Sequence, residues 1–307
     1  MPELHETLVA IRAQVEPFVG TGRVADYIPA LARVDPRKFG LAIAMVDGRT
    51  AQIGDAEEAF SLQSVTKAFT LAMALARRGE ALWERIGREP SGNPFNSIVQ
   101  LERENGIPRN PLINAGAMAV CDVLMDGRPP AAVAEDIRAF IADLADFPGI
   151  PIDGEVAASE WATGHRNASL AHFMKSFGTL THDVDAVLRA YFGQCSIAAS
   201  CACLARAGLF LANRGTDPWT ARAVISPALA RRINAVMLTC GHYDASGDFA
   251  YRVGLPAKSG VGGGILAIVP GTAAIAVWSP GLNASGNSLA GTLALDHIAH
   301  QLDWSVF

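Results

Sequence analysis

Residues 61–67 read SLQSVTK, which places the hydroxyl of Ser64 three positions before the amine of Lys67. The chain continues AFTLAMALARRG, with apolar side chains at helical spacing. Where a helix begins, residues i and i+3 share a face, so the amine can approach the hydroxyl, and first-turn N–H groups can stabilise a developing negative charge. Such a lysine is a base only when neutral, so its pKa must fall well below about 10.4, as burial beside another cation would cause. The same spacing also describes the polar start of a helix with a lysine on its surface, and alone it does not separate the two. Lys258-Ser259-Gly260 is the second candidate. It stands immediately before strand-like GILAIV, and Gly262, Gly263 and Gly264 keep the backbone bare, as a substrate lying along a strand edge requires. A phosphate loop fits poorly, because a strand rather than a helix follows these glycines and the Gly-Lys-Ser/Thr order is absent.

These groups need a scaffold, and the two ends of the chain supply strands for it. FGLAIAMVDGRTAQIGD carries two β-like runs around Asp47-Gly48, and SGVGGGILAIVPGTAAIAVWSP carries two more around Pro270-Gly271, both hairpin signals. The intervening pattern is helical in SVTKAFTLAMALARRG, NAGAMAVCDVLM, PAAVAEDIRAFIADLA, NASLAHFMKSFG, THDVDAVLRAYFGQCS and SIAASCACLARAGLFLANRG. The expected class is α+β: one antiparallel sheet built from both chain ends and flanked by helices, with a helical lobe inserted. The sheet lobe takes about residues 1–62 plus 245–307 and the helical lobe about 63–244, within one domain over 1–307. SGNSLAGTLALDHIAHQL reads as a helix returning over the sheet, and a cleft between the lobes is the natural site. Regular βαβ alternation and fixed-period repeats are absent, against doubly wound sheets and solenoids.

Half of the 307 residues are hydrophobic, enough for a substantial core. A net charge of −5 without a basic run argues against nucleic acid and favours a small neutral or zwitterionic partner. The N-terminal MPELHETLVAIRAQVEPFVGTG alternates as an amphipathic helix would, without an export signal, and the most apolar runs are only strand-length; a cytoplasmic protein off the membrane is expected. Cys121, Cys195, Cys201, Cys203 and Cys240 are an odd set without C-x-x-C pairs, read as reduced thiols, with Cys201 and Cys203 as packing. His297 and His300 beside Asp296 have metal-compatible spacing but no third ligand motif, and His242 next to Tyr243 is left without a role. Neither a cofactor nor a metal is expected.

S-x-x-K together with K-[ST]-G is the signature of class A β-lactamases and penicillin-binding proteins, but the Ser-Asp-Asn triplet is missing. The surrounding stretches resemble the serine-dependent glutaminases: VADYIPALA (24–32), FSLQSVTKAF (60–69), EPSGNPFNS (89–97), NPLINAGAM (110–118), SEWATGHRNASLA (159–171), YFGQCSI (191–197), TCGHYDASGDFAYRVGLPAKSGVGGGI (239–265) and WSPGLNASGNS (278–288). The resemblance implies a β-lactamase-like fold and hydrolysis of L-glutamine to L-glutamate and ammonia, in a homodimer or homotetramer. It implies Ser64 as nucleophile, Lys67 as its activator, and substrate contacts from Asn114, Glu160, Asn167, Tyr191, Tyr243, Val261 and Tyr27.

Free glutamine offers an ammonium, a carboxylate and an amide, all of which a selective pocket must satisfy. Glu160 is expected to accept from the α-ammonium, while Asn114, Asn167 and the tyrosine hydroxyls fix the carboxylate and orient the amide. Ser64 would form a γ-glutamyl ester, with the N–H groups of Ser64 and Val261 as oxyanion hole. Tyr243, its pKa lowered by Lys258, is the first choice to protonate the departing ammonia, and Tyr191 the second. The alternative chemistry for the same Ser-Lys pair is β-lactam or D-alanyl peptide hydrolysis, and a silent amino-acid-binding relative is the non-enzymatic alternative.

Overall fold

The computed structural model describes residues 2–91 and 97–307, so positions 92–96 of the EPSGNPFNS stretch lie outside the described residues. Seven strands are present among them: β1 (Gly40–Met45), β2 (Thr50–Gly54), β3 (Phe60–Ser61), β4 (Ala198–Ala199), β5 (Ala257–Ser259), β6 (Gly264–Val269) and β7 (Ala273–Trp278). Five form an antiparallel sheet in the order β2-β1-β7-β6-β5. Strands from the two ends of the chain therefore meet at β1 and β7, where Gly40 pairs with Trp278 and Met45 with Ala273. Both hairpins turn as expected, with Gly48 and Gly271 at positive φ.

The middle strands are buried on both faces, and their alternation assigns a partner to each face. Leu41, Ile43, Ile265, Ile275 and Val277 pack with Leu8 and Ile11 of the helix Pro2–Val15 and with Leu295 and Ile298 of the helix Leu289–Gln301. The returning C-terminal helix is thus where the sequence puts it. On the opposite face Ala42, Ala44, Ala274 and Ala276 are small, which lets the helix Cys201–Ala212 approach closely. A methyl carbon on Gly208 would sit 2.8 Å from the Leu266 side chain. Cys201 is buried there with its Sγ on the Gly40 carbonyl, so C-x-C serves packing, and all five cysteines are free.

Helices Lys67–Arg78, Asn114–Met125, Pro130–Ala145, His165–Ser176 and Val184–Cys195 fall on the periodic segments. Two readings need correction. Lys258-Ser259 does not merely precede a strand; it lies in β5, paired with Leu266 and Ile265 on β6. SIAASC does not open a helix, because Ala198 and Ala199 pair with Ser61 and Phe60 before the helix starts at Cys201. A two-residue ladder is too short for any period to announce it. Among the described residues no helix is long and apolar enough to cross a membrane.

Candidate active site

Ser64 lies in a 3₁₀ turn, Gln63–Thr66, that leads directly into the helix Lys67–Arg78. The Lys67 backbone N–H donates to the Ser64 carbonyl, which fixes the two residues one turn apart. Lys67 is fully buried, and its Nζ donates to Asn114 Oδ1 at 2.8 Å and to the Leu112 carbonyl at 3.3 Å. Asn114 opens its own helix and passes the contact on, its Nδ2 donating to Asn167 Oδ1 at 2.9 Å. Burial brings the Lys67 ammonium down to about 8, partly opposed by Glu160. The surface-lysine reading is therefore excluded, while the Ser64 hydroxyl is hydrogen-bonded to the Tyr243 phenol.

The glycines after Lys258-Ser259 are explained by what touches them. A methyl carbon on Gly260 would lie 2.5 Å from the Leu62 carbonyl oxygen and 3.2 Å from the Ser64 nitrogen, and one on Gly262 would lie 2.3 Å from the Ser61 carbonyl oxygen. Only bare backbone can come so close to the serine turn, and the approach brings Val261 and Ser64 to one cavity. The Trp278 indole holds the loop from below, donating to the Gly262 carbonyl at 3.0 Å while stacking on Phe60 at 4.9 Å.

That cavity has a volume of about 210 Å³ and is lined by Tyr27, Ser64, Asn114, Glu160, Asn167, Tyr191 and Val261, together with Gln63 and Arg166. Glu160 comes from the helix Gly154–Thr163, whose start is capped by the Asp153 carboxylate accepting from the N–H groups of Glu155 and Val156. Burial raises Glu160 to about 7 against a hydrogen bond from Gln63 and the charge of Lys67. Tyr191 is buried against Cys195, and its phenol is driven well above the usual range. Tyr27 stands at the mouth, 56% exposed.

Tyr243 packs with Val261, Ile28 and Leu282 in a small apolar cluster of its own. Its backbone is left-handed at φ 57°, costly for an aromatic residue. The Lys258 Nζ sits 4.4 Å from its ring centroid while donating to the carbonyls of Gly241 and Ser259. Lys258 does not lower the phenol as the sequence reading expected. Burial pushes Tyr243 up to about 12 and drives the Lys258 ammonium well below its ordinary value, with Lys67 adding to the latter. The hydroxyl therefore keeps its proton, which suits a donor.

All ten candidate residues fall in or against one cavity, with Lys258 behind Tyr243. Gln63 and Arg166 went unread, although Arg166 adjoins Asn167 and Gln63 adjoins Ser64 in stretches that carry the motifs. His300 lies elsewhere, contacting Asp296 on the last helix, and Asp296 pairs with Arg252 at 2.8 Å.

Sheet order, serine turn and edge-strand K-S-G together define the β-lactamase-like class. Residues 22–307 match the family model described as Glutaminase. The chain is 59% identical over 307 residues to the thermolabile glutaminase of Rhizobium etli, covering 100% of this chain and 99% of that protein. Among solved structures, the probable glutaminase ybaS superposes with a TM-score of 0.94 at 38% identity, covering 99% and 98% of the two chains. A probable glutaminase from Bacillus subtilis complexed with 6-diazo-5-oxo-L-norleucine superposes at 0.87 with 34% identity, covering 99% and 95%. The chain belongs to the glutaminase family.

Proposed function

We propose that the cavity hydrolyses L-glutamine to L-glutamate and ammonia through a γ-glutamyl ester on Ser64. The observation that carries this reading is the pairing, in one small cavity, of a carboxyl and a guanidinium with a buried Ser-Lys-Tyr set. Glu160 accepts from the α-ammonium, and Arg166 with Asn114 and Asn167 receives the α-carboxylate. The γ-amide then lies toward Ser64. Neutral Lys67 takes the Ser64 proton as Oγ attacks the γ-carbon, and the N–H groups of Ser64 and Val261 receive the oxyanion. Neither N–H takes part in a turn or loop hydrogen bond of the backbone among the described residues.

Collapse of the tetrahedral adduct breaks the C–N bond as Tyr243 gives its proton to the departing nitrogen. The phenolate then deprotonates the water that attacks the ester, and Lys67 returns its proton to Ser64. Tyr243 is preferred over Tyr191 for this role because its phenol is bonded to Ser64, whereas that of Tyr191 meets Cys195. Tyr191, Tyr27 and Asn167 shape the substrate's place.

The same reading makes the chain a single catalytic unit, working in the cytoplasm as a homodimer or homotetramer. Light scattering on the purified protein tests the assembly. For the activity, ammonia release from L-glutamine is measured beside L-asparagine and a chromogenic β-lactam. Release from glutamine that vanishes in a folded Ser64→Ala variant is expected; no release across a broad pH range, or lactam turnover instead, overturns the assignment.

A further inference from the structure

We propose that Asn287 is a positioning residue that sets the phenol of Tyr243 against the reacting centre. This rests on the reading of Tyr243 as proton donor. A left-handed aromatic residue relaxes unless its surroundings hold it. Here the peptides on either side of Tyr243 are tied together by Ser246, whose Oγ accepts from the His242 N–H at 3.0 Å and donates to the Tyr243 carbonyl at 2.9 Å. That clamp fixes the local bend but not its distance from the sheet.

The Gly241 carbonyl joins the preceding peptide to β5, accepting from the Ser259 N–H at 3.2 Å, and Asn287 adds the tie at the peptide that leads into Tyr243. Its Nδ2 donates to the His242 carbonyl at 3.3 Å, and its Oδ1 accepts from Ser259 Oγ at 2.6 Å. Ser259 belongs to β5, and its carbonyl accepts from the Tyr243 hydroxyl at 3.4 Å. One amide thus joins the backbone at the base of the tyrosine to the strand that receives the tip of its ring. Asn287 is 2% exposed and Ser259 fully buried, so water does not substitute for either bond. The amide is itself held, because the Asn287 N–H donates to Asn283 Oδ1 at 3.1 Å and its carbonyl accepts from the Asn283 N–H at 2.8 Å. Asn287 is therefore part of the proton-delivery apparatus, although it does not line the cavity.

The experiment compares two substrates with the same acyl group. Ammonia must leave protonated, whereas the methanethiolate of L-glutamate γ-methyl thioester leaves as the anion, so only the first reaction needs the tyrosine proton in acylation. In Asn287→Ala, kcat on glutamine should fall about 10- to 100-fold, part of the effect of a positioned general acid, with KM changed by less than about threefold. The pre-steady-state burst of methanethiol, corrected for its blank, reports acylation apart from the ester hydrolysis in which Tyr243 also acts, and its rate should fall by less than about threefold. Ser259→Ala should behave the same way, the double variant should be no worse than either single one, and Ser259→Thr, which restores the hydroxyl, should recover the rate. Equal losses on both substrates, a change confined to KM, or no loss overturns the proposal. Should Asn287→Ala fail to fold, the Ser259 pair decides it, with a threonine variant no better than alanine as the contrary result. Tyr243→Phe in the same series tests the underlying reading separately: acylation lost on glutamine and kept on the thioester supports Tyr243 as donor, and equal losses overturn it.

Discussion

Glu160 and Asp122 are both buried carboxylates, and their surroundings push them in opposite directions. Asp122 accepts from the N–H groups of Thr181 and His182, from Thr181 Oγ1 at 2.9 Å, from His182 Nδ1 at 2.9 Å and from Arg85. Those bonds outweigh desolvation and hold its pKa below the ordinary value. Glu160 has Gln63 and the more distant Lys67, which leaves burial in control and its pKa near 7. Burial by itself is therefore no mark of function. What distinguishes the cavity carboxylate is unspent hydrogen-bonding capacity facing an open space, the condition for receiving a ligand's ammonium.

Breaking each carboxylate should separate the two roles. The largest effect is expected from Glu160→Gln, which should lower kcat/KM for glutamine by about 100-fold, with the melting temperature unchanged or raised. Asp122→Asn should show the reverse, a KM like that of the wild type with melting lower by about 5 °C, because Arg85 and His182 lose their anion. An Asp122→Asn enzyme with a large KM defect would remove the distinction.

Titration sharpens the comparison further, since the signs differ. Asp122 stabilises the fold above its unfolded pKa and loses that contribution as pH falls below the ordinary aspartate value. Glu160, raised in the folded state, binds more protons folded than unfolded between about 4.5 and about 7, so its contribution to stability declines as pH rises through that window. Activity should climb in the other sense. Ionised Glu160 and neutral Lys67 are both needed, so kcat/KM should rise through limbs near 7 and near 8, and Glu160→Gln should keep only the second. The smallest effect is expected at the exposed end of the cavity, where Arg166→Ala should raise KM about tenfold with kcat nearly intact.

Much of this was legible because the chemistry is written in local runs. Ser64 and Lys67 are one helical turn apart in any helix start, and two Gly-containing turns announce the hairpins. Gly262, Gly263 and Gly264 suggest room for a substrate, whereas Gly262, like Gly260 before it, chiefly admits the serine turn, a contact between segments about two hundred positions apart. Glu160 could be named from its motif, but not its raised pKa, which depends on its burial in the folded chain against Gln63 and Lys67. Gln63, Ser246 and Asn287 carry no periodic signal at all. Ser246 matters through two local bonds to His242 and Tyr243, whereas Gln63 and Asn287 matter through partners distant in sequence, Glu160 for the first and His242 and Ser259 for the second.

The pairing of Gly40 with Trp278 has a kinetic consequence as well. No central strand of the sheet can be completed until the chain has been made past β7, so the helices between must emerge first and wait without their sheet partner. A connection spanning so much sequence raises contact order and places loop-closure cost ahead of the contacts that repay it. Refolding from denaturant should therefore have the closure of β1 on β7 as its slow step, later than the local hairpins on either side of it.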